Sequence, residues 1–477
     1  MSGPESSTSL APWHLLRRRR DFLRVGSLTA AGLAVPGELS RAAGAGDASS
    51  ADSVIFLWMA GGVTHIDSFD PKPGAPSEVR GKLGAIPTAL SGEIFCETVP
   101  NLARIAGDLA VVRSYSHDSN DHLLSQVYTL SGHKVGREQL YLHPNIGGVV
   151  SHLQGPRNGL PGYIAVPGIT RPGPPPYNFF VGGWLGPHYG PFCVGGLPEQ
   201  PDFTVGEKLD DPPSLVEEDL RPRSLTPLTE LPLSRLDSRL KLRDSFDRAL
   251  QGLDREPKLA AQDGEFEHAV RLLQNPKIRD AFEIERETPL TRDTYGRTKI
   301  GGRCLMARRL VEAGARFVMV DYGYDPDYGN VWDNHNAAGQ KHPPIQDIVR
   351  RGYHLAGMDQ AFAALITDLK ERGMLERTLV VFLTEFGRTP KINANGGRDH
   401  WGAAGSLFFA GGGTKAGQII GATDRIGGEV KTHPYSPSDV AATIYSALGI
   451  PPNTITTDFQ GRPRPILENG VPIREVI

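Results

Sequence analysis

The segment 378–401, TLVVFLTEFGRTPKINANGGRDHW, joins an apolar run to a cluster of charged side chains. The run at 380–383 is continuous, as expected for a parallel strand that is buried on both faces of a sheet. Polar side chains then follow on what must be a loop: Glu385, Arg388, Arg398, Asp399 and His400. A buried carboxylate is costly without a partner, so Glu385 is predicted either to bind a ligand or to pair with an arginine of this loop.

Three other segments repeat this order of an apolar run followed by a polar loop. They are 54–73 (VIFLWMAGGVTHIDSFDPKP), 109–122 (LAVVRSYSHDSNDH) and 315–336 (ARFVMVDYGYDPDYGNVWDNHN). Helical patterns lie between them, at 123–130, 301–313 and 359–372. Strands that alternate with helices predict an α/β fold, with a mainly parallel sheet flanked by helices on both faces. Ligands of such sheets bind beyond the carboxyl ends of the strands, where all four polar loops fall.

The composition is that of a globular protein of 477 residues, with 39% hydrophobic and 22% charged residues. Its three cysteines, Cys96, Cys193 and Cys304, have no CxxC spacing, which argues against a zinc knuckle or a disulfide framework, although one disulfide is possible. After the N-terminal leader, no segment approaches the roughly 18 apolar residues of a membrane span.

The first 45 residues are predicted to be a twin-arginine signal peptide. Residues 19–24, RRDFLR, match the export pattern, an apolar stretch follows at 25–35, and Ala43-Gly44-Ala45 offers a cleavage site. A basic nucleic-acid-binding arm is the alternative, but it does not explain this order of blocks. We therefore expect an exported, periplasmic or secreted protein comprising 46–477. Without its leader the chain has 45 Lys/Arg against 51 Asp/Glu, a net charge of −6, which argues against nucleic acid as a partner.

The composition changes between about 155 and 300. Residues 155–233 are rich in proline and glycine, and the Leu-spaced, charged pattern at 234–287 predicts helices. Aromatic residues are too frequent for a disordered linker: Tyr177, Phe179, Phe180, Trp184, Tyr189 and Phe192. We predict a loop-rich and helical insertion that covers the site.

Two of the polar loops offer candidate site residues next to a glycine turn or a helix start. Thr64, His65 and Asp67 follow a Gly-Gly turn, where a metal or oxyanion could approach the backbone; the alternative is that Asp67 caps a turn. His122 begins a predicted helix, where anions are favoured. The residues just before it, 119–121, could equally be ordinary helix caps.

The last two loops offer metal ligands. Asp333 and His335, two residues apart on a loop, can reach one metal ion, and Asp399 with His400 supplies a second pair. Either pair alone is more often part of a turn. The strand ends carry no G-x-S-x-G elbow, P-loop, HExxH or dinucleotide fingerprint.

Taken together, these segments resemble known families. Residues 358–388, MDQAFAALITDLKERGMLERTLVVFLTEFGR, resemble a segment of the alkaline phosphatase and sulfatase superfamily, and 436–454, SPSDVAATIYSALGIPPNT, is similar to its closing helix. More specifically, GGVTHIDSFDPKP, VRSYSHDSNDH, WDNHN and TEFGRTPKI with GRDHW look like the family known as domain of unknown function 1501 (DUF1501). This resemblance spans about 52–452, and the family has no settled activity.

The superfamily resemblance implies an alkaline-phosphatase-like fold and a two-metal hydrolase of phosphate or sulfate esters. Glu385 stands where the superfamily has a metal-binding Asp, and Phe386 stands where it has a histidine. His400 matches the final metal-binding histidine, and His122 falls on the nucleophile position of sulfatases. Met59 and Ala60 lie near the position of a missing first-strand Asp. No C-x-P-x-R or S-x-P-x-R motif occurs, so formylglycine is not expected.

The sequence therefore predicts an exported hydrolase of small-molecule or polysaccharide esters with one or two divalent ions. Zinc is the preferred ion, and manganese, calcium and iron are alternatives. Asp333, His335 and His400 would hold one ion, and Glu385 with Asp67 or His65 a second. His122 or Thr64 would be the nucleophile or proton-transfer group, and Arg388 and Arg398 would clamp oxyanion oxygens. The alternatives are a non-catalytic member that binds an anionic polysaccharide or scaffolds a cell-surface complex, and a different metalloenzyme on the same scaffold.

Overall fold

The strand predicted from 380–383 is Thr378–Leu383, which is buried along its whole length in the middle of an eight-stranded sheet. The structure is a computed structural model that describes residues 49–168, 182–195, 218, 220–222, 275–325, 327–337, 340 and 342–477. Apolar side chains on both faces explain the burial, since a central parallel strand is covered by helices on each side.

The described strands, in chain order, are β1 Ser53–Trp58, β2 Ala85–Pro87, β3 Ile94–Cys96, β4 Ala110–Tyr115, β5 Tyr163–Val166, β6 Phe192–Cys193, β7 Phe317–Asp321, β8 Tyr324–Asp325, β9 Gly329–Asn330, β10 Thr378–Leu383, β11 Gly387–Arg388, β12 His400–Trp401, β13 Gly405–Ala410, β14 Gln418–Ile420, β15 Ile455–Thr457 and β16 Pro463–Pro465. The described α-helices are α1 Ser77–Arg80, α2 Pro100–Arg104, α3 His122–Ser131, α4 Ile146–Gln154, α5 Pro276–Ala281, α6 Pro289–Tyr295, α7 Lys299–Glu312, α8 Ile345–Ile348, α9 Leu355–Glu371 and α10 Pro437–Ala447.

The central sheet has the strand order β14-β4-β13-β10-β1-β7-β5-β6. Strand β1 is parallel to both neighbours, with Ser53 opposite Thr378 of β10 and Val54 opposite Phe317 of β7. Strand β13 is antiparallel to both β10 and β4. The remaining pairings are parallel, so β1, β4, β7 and β10 all end at the same edge of the sheet.

Helices cover both faces of this sheet. Alternate residues of β1 belong to two separate apolar cores: Ile55 and Leu57 to one, Phe56 and Trp58 to the other. The first core is closed mainly by α7 and α9, and the second by α3, α4 and α10. The predicted α/β class, with a mainly parallel sheet flanked by helices on both faces, is confirmed.

Part of the predicted insertion belongs to the central sheet itself. Within 155–300, β5 pairs with β7, and β6 pairs with β5. Trp184 is buried, and Pro276–Ala281 is helical as predicted. The predicted signal peptide at 1–45, three of the aromatic residues (Tyr177, Phe179 and Phe180) and the helices expected over 234–274 lie outside the described residues.

Two further expectations concern membranes and thiols. Among the described helices, none is both long and apolar enough to cross a membrane. Cys96, Cys193 and Cys304 are free thiols, and Cys96 and Cys304 are buried in the fold.

Candidate metal centre

Histidine 122 is placed by a helix cap. Asp121 is the N-cap of α3, since its Oδ1 accepts hydrogen bonds from the backbone N–H groups of Leu123 and Leu124 at 2.9 and 3.1 Å. Of the three predicted caps, Asp121 has that role. His122 is the first residue of the helix, so the cap fixes its position beside the end of β10.

Three side chains from distant segments meet at the edge of the sheet. One donor atom each from His122, Asp333 and His400 lies within 4.8 Å of the other two, the only such group of three or more among the described residues. Asp333 Oδ1 lies 3.3 Å from His122 Nε2 and 3.0 Å from His400 Nε2. The imidazole rings of His122 and His400 are 4.2 Å apart in an edge-to-face arrangement. We call His122, Asp333 and His400 the centre.

The carboxylate of Asp333 contacts both other residues of the centre. Besides the two imidazoles, Oδ1 accepts a hydrogen bond from Arg388 Nη2 at 2.9 Å. Its other oxygen, Oδ2, lies 3.4 Å from His335 Nε2 and accepts a hydrogen bond from Gln340 at 3.2 Å. Burial raises the pKa of Asp333, but the surrounding histidines outweigh it and hold that pKa well below its usual range. Asp333 is therefore an anion ringed by potential cations.

Glu385 lies behind His122. Its Oε1 accepts hydrogen bonds from His122 Nδ1 at 2.9 Å and from Gln126 at 3.3 Å, and the backbone N–H of Gly61 is 2.8 Å from both carboxylate oxygens. The residue is fully buried. Burial opposes ionisation, but the hydrogen bond and charge of His122 lower the pKa of Glu385 below its usual value.

His122 and His400 differ in their electrostatic surroundings. Burial disfavours the charged form of His122, but the carboxylates of Asp333 and Glu385 outweigh it and raise its pKa to about 9. Burial lowers the pKa of His400. The Nε2 atom of His122 is buried and has no hydrogen-bond partner. This nitrogen faces the Asp333 carboxylate at 3.3 Å, and it becomes available as a metal ligand when the imidazole loses its proton.

Arg388 is used within the protein. Its guanidinium donates to the backbone carbonyls of Gly62 at 2.8 Å and Trp332 at 2.9 Å, in addition to Asp333. The side chain is 1% exposed and lies near the ring of Phe386, which stacks on His400 at 4.8 Å. The predicted role of Arg388 as an oxyanion clamp has no support in this geometry, because its donors are already bound.

The first loop forms a separate polar cluster. Asp67 makes a two-pronged ion pair with Arg398 and also accepts a hydrogen bond from Thr64 at 2.8 Å. His65 Nε2 contacts the carbonyl of Gly427 at 2.8 Å. None of these side chains belongs to the centre, and all four are buried. The predicted second-ion ligands Asp67 and His65, the nucleophile Thr64 and the clamp Arg398 thus lie outside the centre and contact other groups of the protein.

The remaining predicted ligands lie at the rim. Asp399 is exposed, and its Oδ1 accepts a hydrogen bond from Asn393 at 3.0 Å. It is not part of the centre, although its neighbour His400 is. His335 is next to the centre, with 26% of its side chain exposed. Of the predicted residues, the structure therefore brings together His122, Asp333, His400, His335, Glu385 and Arg388.

Three contributors were not identified in the sequence. Gln126 lies four residues after His122, one helical turn away on the same face, so its spacing was a usable signal. Gly61 and the carbonyl of Asn120, which lies 3.0 Å from His400 Nδ1, act through the backbone. The carbonyl of Asn120 leaves no residue-type signal in a sequence, whereas Gly61 belongs to the Gly-Gly turn that the sequence indicated as a point of close approach.

Comparison with known proteins places the chain in a family. The family described as "Protein of unknown function (DUF1501)" matches residues 51–477. No curated protein is similar enough in sequence to match the chain.

Solved structures with a similar arrangement are distant. The phosphonate monoester hydrolase SpPMH from Silicibacter pomeroyi is 13% identical, with a TM-score of 0.36, and the match covers 89% of this chain and 76% of that one. The lipoteichoic acid synthase LtaP from Listeria monocytogenes is 10% identical (TM-score 0.33; 88% and 76% covered). The PsFucS1 sulfatase from Pseudoalteromonas sp. is 15% identical (TM-score 0.34; 84% and 68% covered). At these values, nothing about the activity of those proteins is transferred to this chain.

Proposed function

The chain belongs to the DUF1501 family, whose description names no reaction, and we propose from the centre itself that it is a metal-dependent hydrolase of phosphate, sulfate or related esters. The observation that carries this proposal is the convergence of two imidazole Nε2 atoms on one oxygen of Asp333, at 3.3 and 3.0 Å. Three protein ligands with a side left open are typical of catalytic metal sites.

The donor set fits a divalent ion of intermediate softness. Two imidazole nitrogens and one carboxylate suit zinc, manganese or iron, whereas calcium prefers oxygen ligands alone. The buried Nε2 of His122, which has no hydrogen-bond partner, would be satisfied by coordinating the ion. We therefore retain zinc as the preferred ion and place calcium last.

The ion's chemistry would be to polarise an ester oxygen and to lower the pKa of a bound water to ~7. The chain's own residues would orient the substrate and move protons. His400 and His335 have 24% and 26% of their side chains exposed, whereas that of His122 is 11% exposed, so substrate would approach from the side of His400 and His335. We assign proton transfer to His335, because it touches Asp333 without belonging to the centre.

A non-catalytic binding protein is the second candidate. Its support is the hydrogen bond from Arg388 to Asp333 at 2.9 Å, which already supplies a positive charge to that carboxylate without any metal. In that case the cluster would be a buried ion network, and an anionic polysaccharide or a protein partner would bind elsewhere on the surface.

Metal analysis of the purified protein separates these two functions. Purified without chelators, the wild type should hold about one divalent ion per chain and hydrolyse at least one ester in a panel of phosphate, phosphonate and sulfate esters. His400→Ala should lose both properties. His433→Gln, which changes an exposed histidine outside the centre, is the matched control and should keep both. Wild-type protein that folds but holds no ion would reject the hydrolase.

We also propose that residues 1–45 direct export by the twin-arginine route, which rests on the order of blocks in the sequence. Replacing Arg19 and Arg20 together with lysine should leave the protein, with its leader attached, in the cytoplasm. The measurement is the apparent mass and the cell fraction of each form. Normal processing and export of the double variant would reject the assignment.

A further inference from the structure

We propose that Glu385 is a positioning residue that aims His122 at a single metal ion, and that it is not a ligand of a second ion. This inference rests on the metal-dependent function proposed above and refines it by fixing how many ions the site takes. It differs from what the sequence alone suggested, which was that Glu385 helps to hold a second ion.

The carboxylate of Glu385 is already occupied on the side that faces the centre. Oε1 receives three donors: the Gly61 N–H at 2.8 Å, His122 Nδ1 at 2.9 Å and the Gln126 amide at 3.3 Å. The residue has no exposed surface, and it is not among the three residues whose donor atoms converge. An ion at Oε1 would have to displace these buried donors, which would then be left unpaired at a cost.

The contact with His122 selects a ring tautomer. A carboxylate can only accept, so His122 Nδ1 must carry a proton at that contact. With a proton held on Nδ1, Nε2, the atom 3.3 Å from Asp333, is the nitrogen through which His122 would bind a metal after losing its second proton. Carboxylates behind metal-binding histidines act in this way and raise the basicity of the ligand nitrogen.

His400 provides an internal comparison. Its Nδ1 lies 3.0 Å from the carbonyl oxygen of Asn120, and its Nε2 lies 3.0 Å from Asp333. Both imidazoles of the centre thus have an acceptor behind Nδ1 and direct Nε2 at the same carboxylate oxygen. This repeated arrangement indicates that Glu385 orients the ring of His122 in the same way that the backbone carbonyl of Asn120 orients the ring of His400.

One residue that could complete a second site, Asp67, is already bound within the protein. Asp67 is bound by Arg398 through both of its oxygens, at 2.8 and 2.9 Å. Near the end of β1, the backbone N–H of Gly61 meets Glu385, and the guanidinium of Arg388 lies against the carbonyl of Gly62 and against Asp333. Arg388 is a fixed cation beside the first site, and its charge opposes a second ion there.

The experiment is a zinc titration of the chelator-stripped mature protein by calorimetry, for the wild type, Glu385→Gln, Glu385→Leu and Asp333→Asn. We expect the wild type to bind one zinc. Glu385→Gln keeps an acceptor oxygen for His122 and should weaken zinc binding by about 10-fold, and Glu385→Leu removes the acceptor and should weaken it by about 100-fold. Both should still bind one ion, and Asp333→Asn should lose tight binding.

Nitrogen NMR of the zinc-loaded protein, labelled at histidine, is a readout that a purely structural role would not change. In the wild type and in Glu385→Gln, His122 should be protonated at Nδ1 and bound to zinc through Nε2. In Glu385→Leu that tautomer should no longer be fixed. Binding of two zinc ions by the wild type would overturn the inference. Equal zinc affinity in the wild type, Glu385→Gln and Glu385→Leu would also overturn it.

The outcomes also separate the two proposals. A wild type that binds no zinc rejects the metal-dependent function as a whole. A wild type that binds two ions, one of which is lost in Glu385→Gln, leaves the hydrolase standing and rejects only the positioning role. The wild-type stoichiometry is decisive even if both Glu385 variants fail to fold.

Discussion

Arg398 and Asp67 form a buried, two-pronged ion pair, with Nε–Oδ2 at 2.8 Å and Nη2–Oδ1 at 2.9 Å. Neither side chain is more than 1% exposed. The guanidinium also donates to the backbone carbonyl of Val79 at 2.7 Å. The pair joins the loop after β1 to the loop between β11 and β12, so it braces the edge of the sheet where the centre lies.

Removing one partner of this ion pair should destabilise the folded protein. Arg398→Met would leave the Asp67 carboxylate buried and uncompensated, and we expect a loss of about 3–5 kcal/mol in the free energy of unfolding. The double variant Asp67→Leu/Arg398→Met should recover part of that loss, because no unpaired charge remains. Denaturant unfolding of the three proteins measures both effects. If Arg398 instead clamped substrate, Arg398→Met would raise KM and leave the unfolding free energy unchanged.

Gly61 is predicted to be irreplaceable for a local steric reason. Its φ is +126°, and an added Cβ would lie 2.8 Å from the Cβ of Trp332 and 3.0 Å from the backbone nitrogen of Asp333. Gly61→Ala should therefore push Asp333 away from the histidines and weaken metal binding by at least about 10-fold. Calorimetric metal titration measures this loss.

Gly373 is the matched control for that substitution. It also has a positive φ, +66°, but an added Cβ would meet nothing within 4 Å. Gly373→Ala should cost only backbone strain, about 1–2 kcal/mol, and leave metal affinity unchanged. Equal metal affinities in the two alanine variants would show that the approach of Gly61 to Asp333 does not position the centre.

His335 should separate catalysis from metal binding. Its Nε2 lies 3.4 Å from the second oxygen of Asp333, its ring lies 5.1 Å from that of His400, and it is not one of the three converging residues. His335→Ala should keep the bound ion, whereas kcat on whichever ester the wild type hydrolyses should fall by about 10²-fold or more. His400→Ala should lose the ion itself. If His335→Ala also loses the ion, His335 is a ligand, and proton transfer needs another group.

The architecture could be predicted from the sequence because its signals are local. Continuous apolar runs such as 380–383 and the helical periodicity at 359–372 depend on neighbouring residues. The structure has a strand at Thr378–Leu383 and a helix at Leu355–Glu371, which begins four residues before the predicted start. The partners of charged groups could not be predicted in the same way. Glu385 was predicted to be a metal ligand, with a salt bridge to Arg388 or Arg398 as the alternative, whereas its contact with His122, which is 263 residues away in the chain, was not predicted.

The candidate site shows the same difference between local signals, which a sequence contains, and partners that are distant in the chain, which it does not. Residue types identified Asp333 and His400 as potential ligands, and the structure brings them together with His122. Asp67 has the same chemistry, but the fold places Arg398 against it, 331 residues further along the chain. Distinguishing a ligand from half of an ion pair requires knowing which segments meet, and a single sequence does not contain that information.

Asp359 should make stability depend on pH. This buried carboxylate, on α9, accepts hydrogen bonds from the backbone N–H groups of Asn101 and Leu102 at 2.9 and 2.8 Å. Burial raises its pKa from 3.8 to about 6, against the opposing effect of these hydrogen bonds. Between those two values the folded protein binds more protons than the unfolded chain, so the free energy of unfolding falls as pH rises.

Protonated Asp359 stabilises the fold, and this contribution to the free energy of unfolding is fully present below pH 4. It is lost as pH rises through about 6, which lowers the free energy of unfolding by roughly 3 kcal/mol in total. Asp359→Asn cannot titrate, so its unfolding free energy should decline less steeply than that of the wild type over this range. Denaturant unfolding at several pH values between 4 and 7 measures the two slopes. Asp118→Asn is the control: the hydrogen bond from Lys134 lowers the pKa of this exposed carboxyl, so it titrates below this range and the variant should follow the wild-type slope. Identical slopes for the wild type and Asp359→Asn would show that this carboxylate ionises without penalty in the folded protein.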